Sequence, residues 1–246
     1  MEALAKTFLV VQKEIQKQSQ QINERLEATS IEIQKLDDKF LTVKSSNQQL
    51  LDASPAFEKK KIENDIKFNQ YLYDLELRKK MAKKTFYKNE LQLREMYVVR
   101  CTLFMNYMVA KANKNEIQMT QSFFAFINYV YSEFVKKYQY QKDFYLEKKN
   151  IHESYVLFLS LFPTIDKERK EQIEKNILSE EEYQDLIKQI EELDQMLEEY
   201  KQVFKTKKPS ITKKDIESNV CFNFDIASVV ENIYPGIKKH EVPNTK

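Results

Sequence analysis

The chain has 246 residues, with 40 Lys and Arg against 38 Asp and Glu, one Gly, five Pro, two Cys and no Trp. Average composition at this length would give about seventeen glycines and about a dozen prolines, so phosphate cradles, dinucleotide fingerprints, nucleophile elbows and hairpin-rich β folds cannot be written. A net charge of +2 favours neither nucleic acid nor a membrane as a whole, and 32% charged residues leave no apolar run fit for a transmembrane span or a secretory signal.

An all-α, cytoplasmic protein is therefore expected. Prolines at 55, 163, 209, 235 and 243 leave 1–54, 56–162 and 164–208 without a strong helix breaker. Fifty helical residues would span about 75 Å. The expected fold is an elongated antiparallel bundle of long helices over 1–161, an acidic helical hairpin over 162–204, and a linker and tail with one short helix over 205–246.

In the first stretch Leu4, Phe8, Val11, Ile15, Ile22, Leu26, Thr29, Ile33, Leu36, Phe40, Val43 and Leu50 are spaced mostly by threes and fours, with Gln18 and Asn47 interrupting. This is a heptad-like seam that needs cover, while Lys13, Gln16, Gln20, Glu24 and Glu27 mark a solvated face. Ser54 followed by Pro55 reads as an N-cap and first helical position, which makes 51–55 a reversal.

The second stretch continues with Ile62, Ile66, Leu72, Leu75, Ala82, Phe86, Leu93, Met96, Leu103, Tyr107 and Ala110. Ala112-Asn113-Lys114-Asn115 is the candidate second reversal, since Asn tolerates turn and left-handed conformations. A third helix is expected over 116–161. Its Phe123, Phe124, Phe126, Tyr129, Tyr131, Phe134, Tyr138, Tyr140, Phe144 and Tyr145 lie on more than one stripe, which implies burial on more than one face, within the chain and against a second copy. The core or dimer contact is assigned to Phe86, Leu93, Phe104, Phe123, Phe124, Ile127 and Phe134.

Residues 166–199 hold thirteen acids against five bases, with an amphipathic pattern at Ile173, Ile177, Tyr183, Leu186, Ile190, Leu193 and Leu197. Residues 179–182 read as a capping box, so either a helical hairpin or two short helices is expected. The Lys/Thr/Pro-rich stretch 205–214 reads as a linker, and a short helix capped by Asp225 is expected from Ile226 to Ile233 before a polar tail.

Candidate chemistry is sparse. Cys101, Cys221, His152 and His240 are too scattered for metal spacing or a disulfide framework, and no cofactor is expected. His152 beside Glu153 and Ser154 cannot form a triad, because helix neighbours point about 100° apart; it reads as a helix-surface histidine. Asp37-Asp38 and Glu191-Glu192 read as solvated faces, and Cys101 as a small packing residue. Charge is more informative: residues 59–100 carry twelve bases against six acids, including Lys59, Lys60 and Lys61 beside the bend, Arg78-Lys79-Lys80 and Lys83-Lys84. Such a band reads either as an ordinary solvated face or as a surface for anionic lipid, where each Lys contributes about 1 kcal/mol. No base-reading motif accompanies it, so nucleic acid is not expected.

Lys35-Leu36-Asp37-Asp38-Lys39-Phe40-Leu41-Thr42-Val43-Lys44, then Lys83-Lys84-Thr85-Phe86, Tyr97-Val98-Val99-Arg100, Phe104 and Phe123-Phe124-Ala125-Phe126 resemble BAR domains of the arfaptin-homology superfamily. The likeness covers about residues 1–150 and is nearest to the subtype in Arf GTPase-activating proteins and oligophrenin-like Rho regulators. It implies an antiparallel dimer that senses or stabilises curvature of anionic membranes, in trafficking or cytoskeleton-linked signalling, with a small GTPase or cytoskeletal protein as a further partner. Carried over by position, Lys59, Lys60 and Lys61 lie near a tip, and Lys67, Lys79, Lys80, Lys83 and Lys84 along a shaft. By the same likeness Met1 falls where the second family helix has already begun, and Asn244-Thr245-Lys246 comes where relatives begin a pleckstrin-homology domain. The alternative expectation is a cytoskeletal or ciliary coiled-coil scaffold whose seams at 4–50 and 62–110 bind partner helices. Neither reading includes an enzyme.

Overall fold

The computed structural model describes residues 2–163, 165–234 and 236–237. They form α1 (Glu2–Ala53), α2 (Ala56–Ala112), α3 (Glu116–Leu161), α4 (Lys167–Glu174), α5 (Glu180–Thr206), α6 (Lys213–Glu217) and α7 (Ile226–Ile233), with a 3-10 turn at Val220–Phe222 before α7 and no strand among the described residues. The protein is all-α, with three long packed helices and a smaller C-terminal region. His240, Pro235, Pro243, Met1 and the tail end at Asn244-Thr245-Lys246 lie outside the described residues.

Local signals set the helix ends. Ser54 and Pro55 alone separate α1 from α2, and the Pro55 carbonyl accepts the Glu58 N–H at 3.0 Å. At the end of α2 the Lys114 N–H donates to Lys111 at 3.1 Å and the Asn115 N–H to Ala110 at 3.0 Å, a Schellman pattern. Its left-handed residue is Lys114, at φ 54°, and neither Asn takes that conformation. The reason is that Asn115 also serves the next helix. Its side-chain oxygen accepts the Gln118 N–H at 3.1 Å and caps α3, which needs extended rather than left-handed backbone. The expected capping box at 179–182 is complete, with Ser179 N–H donating to Glu182 at 2.8 Å and Glu182 N–H donating to the Ser179 hydroxyl at 3.3 Å. The Ser179 N–H and hydroxyl, both donating to the Glu182 carboxylate, hold it below its usual range. Asp225 caps α7 through the Ala227 N–H as expected.

Two compact units share the chain. One comprises Met1–Ile22, Asn89–Asp143 and Gln189–Lys246; the other comprises Asn23–Lys88 and Phe144–Lys188.

In the first unit α2 and α3 run antiparallel. Tyr107 meets Phe123 with ring centroids 5.7 Å apart, Phe104 meets Phe126 at 5.5 Å, and further along the Tyr140 hydroxyl donates to Gln92 at 2.5 Å. The second apolar face of α3 is covered within the chain: Phe134 stacks on Tyr200 of α5 at 4.5 Å, and Tyr131 meets Phe204 at 4.7 Å. Phe222 packs on Phe104 at 5.4 Å and Phe8 of α1 stacks on Phe222 at 6.3 Å. Ile226, Ala227, Val229, Val230 and Ile233 of α7 are all buried. Stretch 205–214 is no free linker. Lys205 and Thr206 finish α5, Lys213 and Lys214 open α6, and between them the Ser210 N–H donates to the Ile233 carbonyl at 2.9 Å. The polar residues 205–208 and 212–214 are exposed as composition suggests, and only 209–211 are partly covered, where that backbone bond ties the stretch to α7.

In the second unit α1 and α2 are antiparallel, with Phe40 stacked on Tyr73 at 4.0 Å and the Tyr73 hydroxyl donating to Asp37 at 2.8 Å. A core cluster gathers Phe68, Leu75, Tyr155, Phe158 and Ile173 from α2, α3 and α4. Arg78 holds Glu147 at 2.6 Å, which keeps that carboxyl below its usual range, and Arg169 pairs with Asp65 at 3.1 Å. The α1 seam in this unit is partly or fully covered from Leu26 to Val43, but Leu50 is 56% exposed. Asn47 and Leu51 take the inward positions there, and a residue adjacent to Leu51 points about 100° away from it.

Candidate functional site

The residues singled out by charge fall into three groups. Lys59, Lys60, Lys61, Lys67 and Lys83 are exposed and Lys84 is half-covered; among the described residues none of the six makes an ion pair or a side-chain hydrogen bond. Lys79 is exposed but donates to the Asn176 side chain at 2.5 Å. Lys80 is half-buried, 2.9 Å from Glu32, and that bond, with the nearby charges of Lys83 and Lys35, holds the Glu32 carboxyl low.

Three other bases of the 59–100 band are also neutralised. Arg78 pairs with Glu147, Arg94 with Glu90, and Arg100 with Glu133. Arg100 has no exposed surface, so it belongs to the core and contributes nothing to an outer field. The band read from sequence thus contracts to its free members, most densely Lys59, Lys60 and Lys61. They sit in the first turns of α2, where between 56 and 64 only Ile62 is even partly covered. On the α1 side of the bend only Asn47, Leu51 and Ser54 are partly covered between 44 and 54. The bend is therefore a two-helix end whose side chains face water.

Of the apolar candidates, Phe104, Ile127 and Phe134 are buried, Phe86, Leu93 and Phe123 are half-buried, and Phe124 is 57% exposed. Phe124 is thus no part of the chain's own core, because it points about 100° from the half-buried Phe123. It lines up instead with Ile117, 75% exposed and seven residues earlier along α3, whereas Tyr131, seven residues later, is 37% exposed with its ring on Phe204. Sequence reasoning passed over Ile117 in this role; the heptad spacing was the signal available.

Cys101, Cys221 and His152 are each held within the fold. Burial pushes the Cys101 thiol up to about 11 and the Cys221 thiol up to about 12, far from a reactive thiolate at neutral pH. His152 is not a solvated surface histidine: its Nδ1 accepts the Leu178 N–H at 3.1 Å and its ring stacks on Tyr183 at 4.4 Å. Sequence distance hid this contact, since Leu178 lies beyond the end of α3 and α4. A groove of about 220 Å³ between α1 and α2 is lined by Leu36, Phe40, Val43, Leu72 and Tyr73, with Lys39, Asn69 and Glu76 as its polar members. Glu76 already accepts the Tyr155 hydroxyl at 2.7 Å. Among the described residues no group of three or more His, Cys, Asp or Glu could hold a metal ion, and no helix is long and apolar enough to cross a membrane.

Comparison with protein-family models, with curated proteins and with solved structures gives no match, so the BAR likeness rests on the residues quoted for it alone.

Proposed function

We propose that the chain is a non-enzymatic helical module that binds anionic membrane surfaces as a homodimer, through Lys59, Lys60 and Lys61 at the α1–α2 bend with help from Lys67, Lys83 and Lys84. One observation carries the reading: three consecutive lysines, exposed and without ion pairs, occupy a two-helix end that almost nothing else in the chain covers. Ammonium groups so placed can approach a phosphate layer without first breaking internal pairs, which Lys80 and Arg78 would have to do. The exposed pair Ile117 and Phe124 on α3 supports the second copy. The scaffold alternative draws less support, because the seams it would offer to partner helices are already occupied within the chain, as at Phe40 on Tyr73 and Phe8 on Phe222.

Co-sedimentation with vesicles tests this directly. The protein should bind phosphatidylserine vesicles, ignore phosphatidylcholine, and lose binding as salt shortens the Debye length from about 10 Å at 0.1 M to about 3 Å at 1 M. The triple variant K59E/K60E/K61E should abolish binding with helicity unchanged, since all three side chains are exposed. Undiminished binding by that variant would put the lipid face elsewhere, and wild-type indifference to anionic lipid would sink the reading. Stronger binding to small than to large vesicles of one composition is the outcome expected of a curvature-sensing module.

A further inference from the structure

The bend carries more than charge. Phe57, the second residue of α2, is 81% exposed, more than any other large apolar side chain among the described residues. It precedes Lys59 by two residues. On the other arm Leu50 is 56% exposed, and the α1 residues around it, Ser45, Ser46, Asn47, Gln48 and Gln49, are uncharged. The nearest α1 acid, Asp52, already accepts a hydrogen bond from Gln48 at 3.0 Å.

A phenyl ring held in water in the same helical turns as three exposed lysines, with Glu58 the one acid between them, is poorly matched to solvent and well matched to a layered partner, anionic outside and apolar beneath. The exposed two-helix end, with Phe57 its one aromatic, is also unlike the grooves that track a single-stranded nucleic acid between successive stacking aromatics. We propose that Phe57 inserts below the headgroups of an anionic membrane while Lys59, Lys60 and Lys61 stay at the phosphate level, so that attachment has an apolar part that salt does not screen. This rests on the membrane reading above and adds a depth and a residue to it.

The absence of tryptophan supplies the test. F57W places a single reporter at an exposed position where the fold does not depend on the side chain. On phosphatidylserine vesicles its emission should shift to the blue and be quenched by lipids brominated on the acyl chain. F57S should weaken vesicle binding about tenfold or more, most visibly at high salt where the lysines are screened. Co-sedimentation of F57W with water-like emission, or of F57S with wild-type salt dependence, overturns insertion while leaving the electrostatic reading standing. Failure of the wild-type protein to co-sediment overturns both. A blue shift produced by a single-stranded oligonucleotide instead of vesicles overturns insertion in favour of base stacking.

Discussion

Arg100 directs all its nitrogens at acceptors. Nε donates to Glu133 at 2.6 Å, Nη1 to the Cys221 carbonyl at 2.6 Å and Nη2 to the Asn223 carbonyl at 2.7 Å, with its guanidinium 4.9 Å from the Tyr97 ring centre. One side chain therefore ties α2 to α3 and to the 3-10 turn ahead of α7. Burial pushes the Glu133 carboxyl up, and Arg100 opposes that shift without cancelling it. Replacing Arg100 by Met leaves a buried carboxylate alone and two carbonyls without donors, which should cost about 3–5 kcal/mol in urea unfolding. Lys should rescue little, because one ammonium cannot reproduce a planar fork aimed at three groups. The pH dependence has a definite sign. A carboxyl whose folded value is raised contributes stability that is full below its ordinary 4.5 and is lost as pH rises through the folded value. With Arg100 gone the raise grows, so R100M should lose more stability than wild type between pH 4.5 and neutrality; parallel pH profiles would show that Arg100 does not govern this carboxyl.

At the scale of elements, what could be read in advance was what local chemistry decides. The breaks at Pro55 and around Asn113, the start of α3 at Glu116, the capping box at Ser179 and the cap at Asp225 each need only a few neighbouring residues, and each occurs where expected. The identity of what covers a face was not readable. Tyr200 stacking on Phe134, or Cys221 and Asn223 receiving Arg100, joins residues many turns apart, and a helical period records that a face is buried without naming its cover. The α4–α5 connection shows the same limit. It is fixed by His152 accepting the Leu178 N–H and by Tyr183, which lies on that ring and donates its hydroxyl to Glu153 at 2.7 Å. H152F keeps an aromatic face for Tyr183 but removes the acceptor. It should cost about 1 kcal/mol and speed hydrogen exchange of the Leu178 amide ahead of its neighbours. Unchanged protection at that amide would mean that the stack alone holds the connection.

For the molecule as a whole, the proposed membrane binding carries a prediction about copy number. At about 1 kcal/mol per lysine, the six lysines of the proposed lipid face supply at most about 6 kcal/mol, equivalent to affinity on the order of tens of micromolar. A second copy adds a second set, and joining two weak contacts raises apparent affinity by about 10²–10⁴. The α3 pair suits such a contact. Ile117 and Phe124 are exposed seven residues apart, and residues 117–132 contain no charge in a chain that is 32% charged, so two copies can pair antiparallel there without opposing like charges. Because Ile117 and Phe124 are exposed, I117D/F124D should leave the helical content of the single chain intact, halve the mass measured by light scattering, and weaken vesicle binding about a hundredfold. A variant that remains dimeric would place the contact on another face, and a monomeric variant that binds vesicles like wild type would show that a single lysine end is sufficient.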